Sequence, residues 1–403
     1  MDFELSEEQK SMIALTRDFC KREVDVKHMQ ELADRAQLAK NVQELRDNMP
    51  WDLIEKLHDV GLRQLCIPER YGGGGVDWVT RVLVAEEAGH SGGGQFARLI
   101  TIPWKACTDV ATCAGKELQD WFFPQFMESR KMFASGAISE PEGMTDISLP
   151  YDEPGVALRT LAVKDGDEWV INGDKMFCTA GGVDSFIVLT VRTDKGGPVT
   201  KSASQFLVST DNPGIEMEVN HFIGGDITGN VQIHFTDFRV PEFRLMGKLN
   251  QAMSVMPTRL ASKLVHFATL LGWSQRLFEG MVDYAKQRVQ GGKPIFQHPN
   301  IAAMLGEAGA NLEALRALMY RAAWEYRDDT AVMNPLWGIY CNYSYKKMAL
   351  RLCELADEIY AGVGASRDMP LDGYVRNLFG MLHGGSTMNL NCIKAGKLLC
   401  VVP

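Results

Sequence analysis

The sequence predicts an α+β protein in three parts: an N-terminal α-helical domain over 1–132, a middle antiparallel β-barrel or sandwich over 133–247, and a C-terminal four-helix bundle over 248–403. Helical apolar periodicity marks the first part. Short β-type runs separated by turn residues mark the second. Long proline-free stretches with an apolar period of about 3.6 residues mark the third. A chain of 403 residues is long enough to bury an extensive core.

In chain order, Ser6-Glu-Glu-Gln opens a helix with an N-cap signature, because a serine hydroxyl accepts from the backbone three residues on. The polar, Gln- and Asp-rich stretch from Arg22 to Pro50 has helical propensity and reads as an extra exposed helix or a mobile insertion. Trp51 to Leu62 carries apolar residues at helical spacing and stops at Gly61. Ile67-Pro-Glu-Arg-Tyr-Gly-Gly reads as a loop, and Val79 to Ala88 resumes a helix. Trp169-Val-Ile, Phe186-Ile-Val-Leu-Thr-Val, Gln205-Phe-Leu-Val and Val231-Gln-Ile-His-Phe are strand candidates. Asp165-Gly, Asn172-Gly, Lys195-Gly-Gly and Asn212-Pro-Gly supply the turns between them. Leu260 to Val289, Ala302 to Tyr326 and Leu336 to Tyr360 are long helices that pair into a bundle.

Composition removes several function classes. A net charge of −9 argues against a nucleic-acid partner, which calls for a basic surface. The nine cysteines form no Cys-x-x-Cys pair, as expected of reduced thiols in a cytoplasmic protein. The charged N-terminus is neither a signal peptide nor an anchor, and no run of about 18 apolar residues predicts a membrane span. Eight histidines include no His-x-x-x-His, so no metal site is expected. Generic nucleotide motifs also fail. Gly362-Val-Gly-Ala-Ser-Arg lacks a third glycine and follows a helix, while Gly292-Lys and Gly396-Lys lack the rest of a phosphate loop.

Six segments in register nonetheless resemble those of the acyl-CoA dehydrogenases. They are Ile67-Pro-Glu-Arg-Tyr-Gly-Gly with the Glu86-Glu87 helix after it, Ile138-Ser-Glu-Pro-Glu-Gly-Met-Thr-Asp, Asn172-Gly-Asp-Lys-Met-Phe-Cys-Thr, Asp237-Phe-Arg-Val-Pro, Tyr284-Ala-Lys-Gln-Arg-Val-Gln-Gly-Gly, and Ala361-Gly-Val-Gly continuing to Leu382-His-Gly-Gly-Ser-Thr. The resemblance implies the acyl-CoA dehydrogenase fold, FAD as cofactor and an acyl-CoA substrate. It implies that Ser139 and Thr145 meet the isoalloxazine edge or the acyl-CoA, and that Phe177 and Thr179 lie against the flavin ring. The resemblance places Arg288 at the pyrophosphate of a neighbouring subunit, with Gln297 near the adenosine half. Glu358, Gly362, Thr387 and Asn391 stand at other cofactor-contacting positions. An electron-transfer flavoprotein partner and a homotetramer or hetero-oligomer are further implications.

The departures from the family pattern bear on chemistry. Glu142 and Met144 replace two glycines of the flavin loop, Pro299 replaces a glutamine, and Asn377 replaces an aspartate. The family's catalytic glutamate falls on Gly385 by ungapped counting from Arg376, or on Gly384 with one gap. The alternative location of that base, on the first bundle helix, falls on Ser262 with Lys263 beside it. Both are empty of a carboxylate. His383 and Asp372 are the nearest titratable substitutes. Arg98 lies where relatives acting on acyl chains with a second anionic group place an arginine. The candidate catalytic positions are therefore His383, Gly385 and Arg98. Three readings follow: a flavoenzyme working by decarboxylation, elimination or enoyl-CoA reduction; a non-catalytic subunit of a hetero-oligomer; or a monooxygenase-like relative.

Overall fold

The computed structural model describes residues 4–143, 153–327, 334–382 and 384–401; within it, the side chains of 254–262 and 401 are not described. Six helices open the chain: α1 (Glu7–Glu23), α2 (Val26–Ala36), α3 (Val42–Asp47), α4 (Trp51–Asp59), α5 (Trp78–Cys113) and α6 (Lys116–Glu128). The expected cap is present as a full capping box, in which Gln9 N donates to Ser6 Oγ and Ser6 N to Gln9 Oε1. The stretch after Arg22 is neither an exposed helix nor an insertion. Met29, Leu32, Ala33 and Ala36 recur at i, i+3, i+4 and i+7, so α2 has an apolar stripe and buries it. Helix α3 buries Leu45, and Arg46 Nε donates to the Gly182 carbonyl of the middle part at 2.8 Å. Helix α5 is far longer than Val79–Ala88 and breaks at Gly93, whose φ of 78° is non-helical.

A single sheet follows: β1 (Ala134–Ala137), β2 (Leu161–Asp165), β3 (Glu168–Thr179), β4 (Phe186–Arg192), β5 (Ala203–Ser209), β6 (Ile215–Val219), β7 (Asn230–Pro241) and β8 (Leu245–Met246). Its order is β6-β7-β3-β2-β4-β5-β8, with β1 paired to β4 off this path. The sheet is mostly antiparallel, as expected, but β1 and β2 both run parallel to β4. Strand β4 is buried along its whole length, which suits its nearly continuous apolar run from Phe186 to Leu189 with Val191. Register shifts interrupt the β3–β7 ladder between Ile171 and Gly173 and again between Lys175 and Cys178. The second of these places Phe177 at a φ of 59°.

The last part comprises α7 (Met256–Gln287), the short hairpin of β9 (Val289–Gln290) and β10 (Lys293–Pro294), then α8 (Pro299–Glu325), α9 (Pro335–Tyr360), α10 (Pro370–Met381) and α11 (Met388–Val401). One hydrophobic cluster runs from Phe19 through the sheet to Met381 and joins all three parts. Helix α5 packs along α7 at near backbone contact. A Cβ on Gly89 would lie 2.0 Å from the Thr269 carbonyl oxygen, and one on Gly272 would lie 1.9 Å from that of Glu86. These two pairings run in opposite directions along the chain, so the helices are antiparallel. Gly272→Ala is expected to lower stability by about 1–3 kcal/mol, because the clash is with backbone and cannot be relieved by a rotamer change. Gly306→Ala, on α8 with nothing within 4 Å of its Cβ, is the control and is expected to be neutral or stabilising in the same urea titration.

Candidate active site

The loop expected to meet the flavin is anchored by a buried ion pair. Lys175 Nζ on β3 lies 2.6 Å from Glu140 Oε1, with side-chain exposures of 0% and 4%. The Glu140 carboxylate also accepts from the backbone N–H groups of Arg159 and Thr160. Burial alone would raise its pKa, but Lys175 and these donors outweigh burial and hold it below the usual carboxylate range. Lys175 donates further to the Ile138 carbonyl, and Met176 N donates to Ser139 O at 2.9 Å. Ser139 is thereby fixed beside the strand that carries Phe177 and Thr179.

Phe177 is 54% exposed, an unusual state for a large aromatic, and its ring meets Phe222 edge-on with centroids 5.7 Å apart. Ile223, at 65% exposure, extends the same apolar surface. Thr179 Oγ1 accepts from Asn230 Nδ2 at 3.2 Å, while Asn230 Oδ1 is buried and unsatisfied. Thr387 caps the first turn of α11 by accepting from Leu390 N, and Asn391 behind it is buried with its Nδ2 unsatisfied. An exposed aromatic face and buried amide atoms awaiting partners fit a flat, hydrogen-bonding ring system, so the residues present fit FAD. Phe177, Thr179, Ser139, Thr387 and Asn391 would hold it. Arg288 and Gln297, after α7, are both exposed, as are Glu358 and Gly362 at the end of α9. Thr145, Met144 and His383 lie outside the described residues. Glu142 is exposed and lies 3.5 Å from Arg159.

Gly385, expected at the position of the base, needs to be glycine for a conformational reason. Gly385 has a φ of 76°, in the left-handed region, and a Cβ there would lie 3.0 Å from Lys263 Nζ. Lys263, on α7, donates to the Gly385 carbonyl at 3.3 Å. Lys346, on α9, donates to the carbonyls of Gly384 and Ser386, and Lys394, on α11, donates to Ser386 Oγ at 3.0 Å. Burial pushes Lys394 down to about 8; burial, with Lys394 adding to it, does the same to Lys346. Burial, with Arg98, Lys263 and Lys346 adding positive charge, pushes the His266 imidazole down to about 3.

Asp372, an expected substitute for the base, and Arg98, an expected anion-holder, do not fit those roles. Asp372 is held by Arg376 at 2.7 Å, and Arg376 also binds Asp34 on α2, so this carboxylate is committed to joining the two ends of the chain. Arg98 pairs with Asp226 at 2.5 Å with both side chains largely buried, so its charge is already matched and it is not a waiting anion-holder. Asn377, at the family's aspartate position, is locked among Gln95, Gln30 and the Gly373 carbonyl. Sequence reading missed Lys346, Lys394, His266 and Asp226. The available signal was lysine within the apolar-periodic runs of α9 and α11.

Three family profiles match in order: the acyl-CoA dehydrogenase N-terminal domain over 6–129, the middle domain over 135–238 and the C-terminal domain over 253–395. The chain belongs to the acyl-CoA dehydrogenase family, FAD-dependent oxidoreductases of acyl-CoA thioesters. It is 29% identical to cyclohexane-1-carbonyl-CoA dehydrogenase of Syntrophus aciditrophicus (strain SB), over 81% of this chain and 82% of the relative. It is 26% identical to the probable acyl-CoA dehydrogenase YngJ of Bacillus subtilis (strain 168), over 99% of this chain and 100% of the relative. Butyryl-CoA dehydrogenase from Megasphaera elsdenii superposes with a TM-score of 0.84 at 22% identity, covering 99% of this chain and 100% of that one. A glutaryl-coenzyme A dehydrogenase in complex with glutaryl-CoA gives 0.84 at 21%, covering 100% and 98%. Among the described residues no helix is long and apolar enough to cross a membrane, and no cluster of three His, Cys, Asp or Glu side chains is placed to hold a metal.

Two measurements probe this site. Lys175→Met leaves Glu140 buried without its cation and is expected to cost about 3–5 kcal/mol in chemical denaturation. The unfolded chain protonates His266 near its ordinary value of 6.5, whereas the folded chain resists protonation to about 3. The contribution of a neutral His266 to stability is therefore intact above pH 6.5 and is lost progressively as pH falls toward 3. His266→Gln is expected to flatten the dependence of Tm on pH across that interval.

Proposed function

We propose that this protein is an FAD-dependent oxidoreductase of an acyl-CoA thioester that works without a protein carboxylate at the α-carbon. The observation that supports the reading is Gly385: a backbone that favours glycine, with the Lys263 ammonium beside it, at the position where ungapped counting along the family motif expects a proton-accepting glutamate. Bound flavin supplies hydride acceptance or donation. An ammonium cannot take a proton from carbon, but it stabilises negative charge that develops there. Two chemistries suit it. In decarboxylation of an acyl group that carries its carboxylate on the α-carbon, CO2 departs, the broken C–C bond leaves its electron pair at that carbon to form the α,β double bond, and the β-hydride goes to bound flavin, so no α-proton is removed. In enoyl-CoA reduction, the α-carbon gains a proton rather than losing one. Phe177 supports stacking, Ser139 and Thr179 orient the ring edge, and Arg288 and Gln297 extend toward a neighbouring copy's cofactor. An electron-transfer flavoprotein is the partner this reading implies, and a homotetramer the assembly.

One observation favours a second reading, a non-catalytic subunit: Glu142 puts a carboxylate in the flavin loop. A homo-oligomer that turns over alone would eliminate it. The purified protein is expected to carry or take up FAD, and that flavin is expected to bleach anaerobically with its thioester. In D2O, a saturated neutral acyl-CoA is expected to show no exchange of its α-hydrogens; rapid exchange, or a colourless protein that cannot be loaded with FAD, overturns the proposal. Gly385→Glu is expected to lower Tm, because left-handed backbone costs about 1–2 kcal/mol outside glycine. It is not expected to create dehydrogenase turnover, since Lys263 would capture the new carboxylate.

A further inference from the structure

Just before the Ile67-Pro-Glu-Arg-Tyr segment stands Cys66, which takes no part in the site described above. Its Sγ lies 3.5 Å from the Trp104 carbonyl of α5. Cys107 stands three residues further along α5, on the same face, and its thiol interacts directly with that of Cys66. Both cysteines are buried and reduced. Two arginines flank the pair, and among the described residues neither is paired with a carboxylate. The break at Gly93 brings Arg81 back beside Thr108. Arg81 is only 7% exposed; its Nε donates to the Val76 carbonyl at 2.9 Å, its Nη1 reaches Thr108 Oγ1 at 3.5 Å, and it packs over Trp78. Arg63 is wholly buried, donates to the carbonyls of Arg130 and Met132, and leaves its Nε without a partner.

A buried guanidinium held only by neutral oxygens and rings is costly to desolvate, and a thiolate nearby supplies the missing negative charge. Burial by itself would raise the Cys66 thiol, but the bond from Cys107, the Arg81 charge and the Thr108 hydroxyl outweigh it and hold Cys66 below its ordinary value. Burial pushes Cys107 the other way, with the Cys66 sulfur and Asp109 adding to the rise and Arg63 opposing it. Cys66 is thus the member of the pair that ionises, and Cys107 the member that keeps its proton. A cavity of about 500 Å³ lies over Cys66, Arg81 and Thr108, and the exposed residues Glu69 and Arg70 line its mouth. It admits a small polar molecule to the Cys66 sulfur.

We propose that Cys66 and Cys107 form a peroxide-reactive dithiol site, in which Cys66 is the attacking sulfur and Cys107 the resolving one. The Cys66 thiolate attacks one oxygen of hydrogen peroxide, the O–O bond breaks, and hydroxide leaves, giving a sulfenic acid. The Cys107 sulfur then attacks the Cys66 sulfur; the S–S bond forms, the S–O bond breaks, and the departing hydroxyl takes the Cys107 proton as water. The two sulfurs together lose two electrons and the peroxide gains them. Arg81, on the cavity wall, stabilises both the thiolate and the leaving hydroxide. The product ties the loop ahead of Ile67 covalently to α5, and a dithiol reductant returns it to the starting state.

The test treats the full-length protein with stoichiometric hydrogen peroxide, blocks the remaining thiols by alkylation, and maps the unreduced digest by mass spectrometry. A peptide joining Cys66 to Cys107 is expected, lighter by two hydrogens than its halves and separated by dithiothreitol. In Cys107→Ser the expected product is a Cys66 sulfenic acid that dimedone traps. Arg81→Met is expected to slow the oxidation of Cys66 by about ten-fold, because the thiolate and the leaving hydroxide lose their cation. The proposal is overturned if Cys66 is recovered fully alkylated while the exposed Cys392 and Cys400 have oxidised. It is equally overturned if Cys66 is found joined to a cysteine other than Cys107, or if an Arg81→Met protein with native circular dichroism oxidises at the native rate. Should either variant fail to fold, the map of the native protein decides alone.

Discussion

The close crossing of α5 and α7 is the constraint on which the site depends. With Gly89 against Thr269 and Gly272 against Glu86, the two helices meet through backbone rather than side chains. That contact fixes their relative rotation and register more tightly than interdigitated side chains would, because no rotamer adjustment can absorb a shift. Arg98 lies further along α5, beyond the break at Gly93. Lys263 and His266 lie further back along α7. Antiparallel packing brings these stretches together, so a scaffold contact made of glycine aims a group of charges.

A second anchor acts on the sheet side. The Lys175–Glu140 pair is almost wholly buried, and Glu140 gathers two backbone N–H groups besides. A buried pair of this kind adds little net stability over apolar packing, but it is costly to half-remove. Its physical effect is positional. It ties the loop after β1 to a strand that bulges two residues later, and the bulge turns Phe177 outward. The two anchors differ in chemistry: one excludes side chains, and the other satisfies a pair of charges.

Much of the fold was legible because periodicity is a local signal. The long helices of the bundle, the capping box at Ser6 and the strands around Trp169, Phe186, Gln205 and Val231 all lie where their patterns placed them. The α2 stripe was obscured because the residues between Met29, Leu32, Ala33 and Ala36 are all polar or charged: Gln30, Glu31, Asp34 and Arg35. The length of α5 beyond Val79–Ala88 was hidden by Gly92-Gly-Gly and Pro103, residues that disfavour a helix interior but here sit within a packed, kinked helix. The site was legible only as a deviation. Gly385 stood out against the family motif, yet what fills its surroundings did not. Arg98 finds Asp226 at a sequence separation of 128, and Lys346 finds the Gly384 carbonyl at 38. No local pattern encodes such pairings, so a lysine within an apolar stripe reads as surface until the fold supplies its oxygens.

The bond between α2 and α10 through Arg376 has a consequence for how the chain is made. Asp34 leaves the ribosome 342 residues before Arg376. The face of α5 that covers α7 is likewise without its partner until Gly272 has emerged. Helices α2 and α5 therefore wait with apolar surface uncovered until α7 and α10 have been made. A nascent chain of this design is a natural client for chaperones, and an interrupted one exposes the same surface to aggregation.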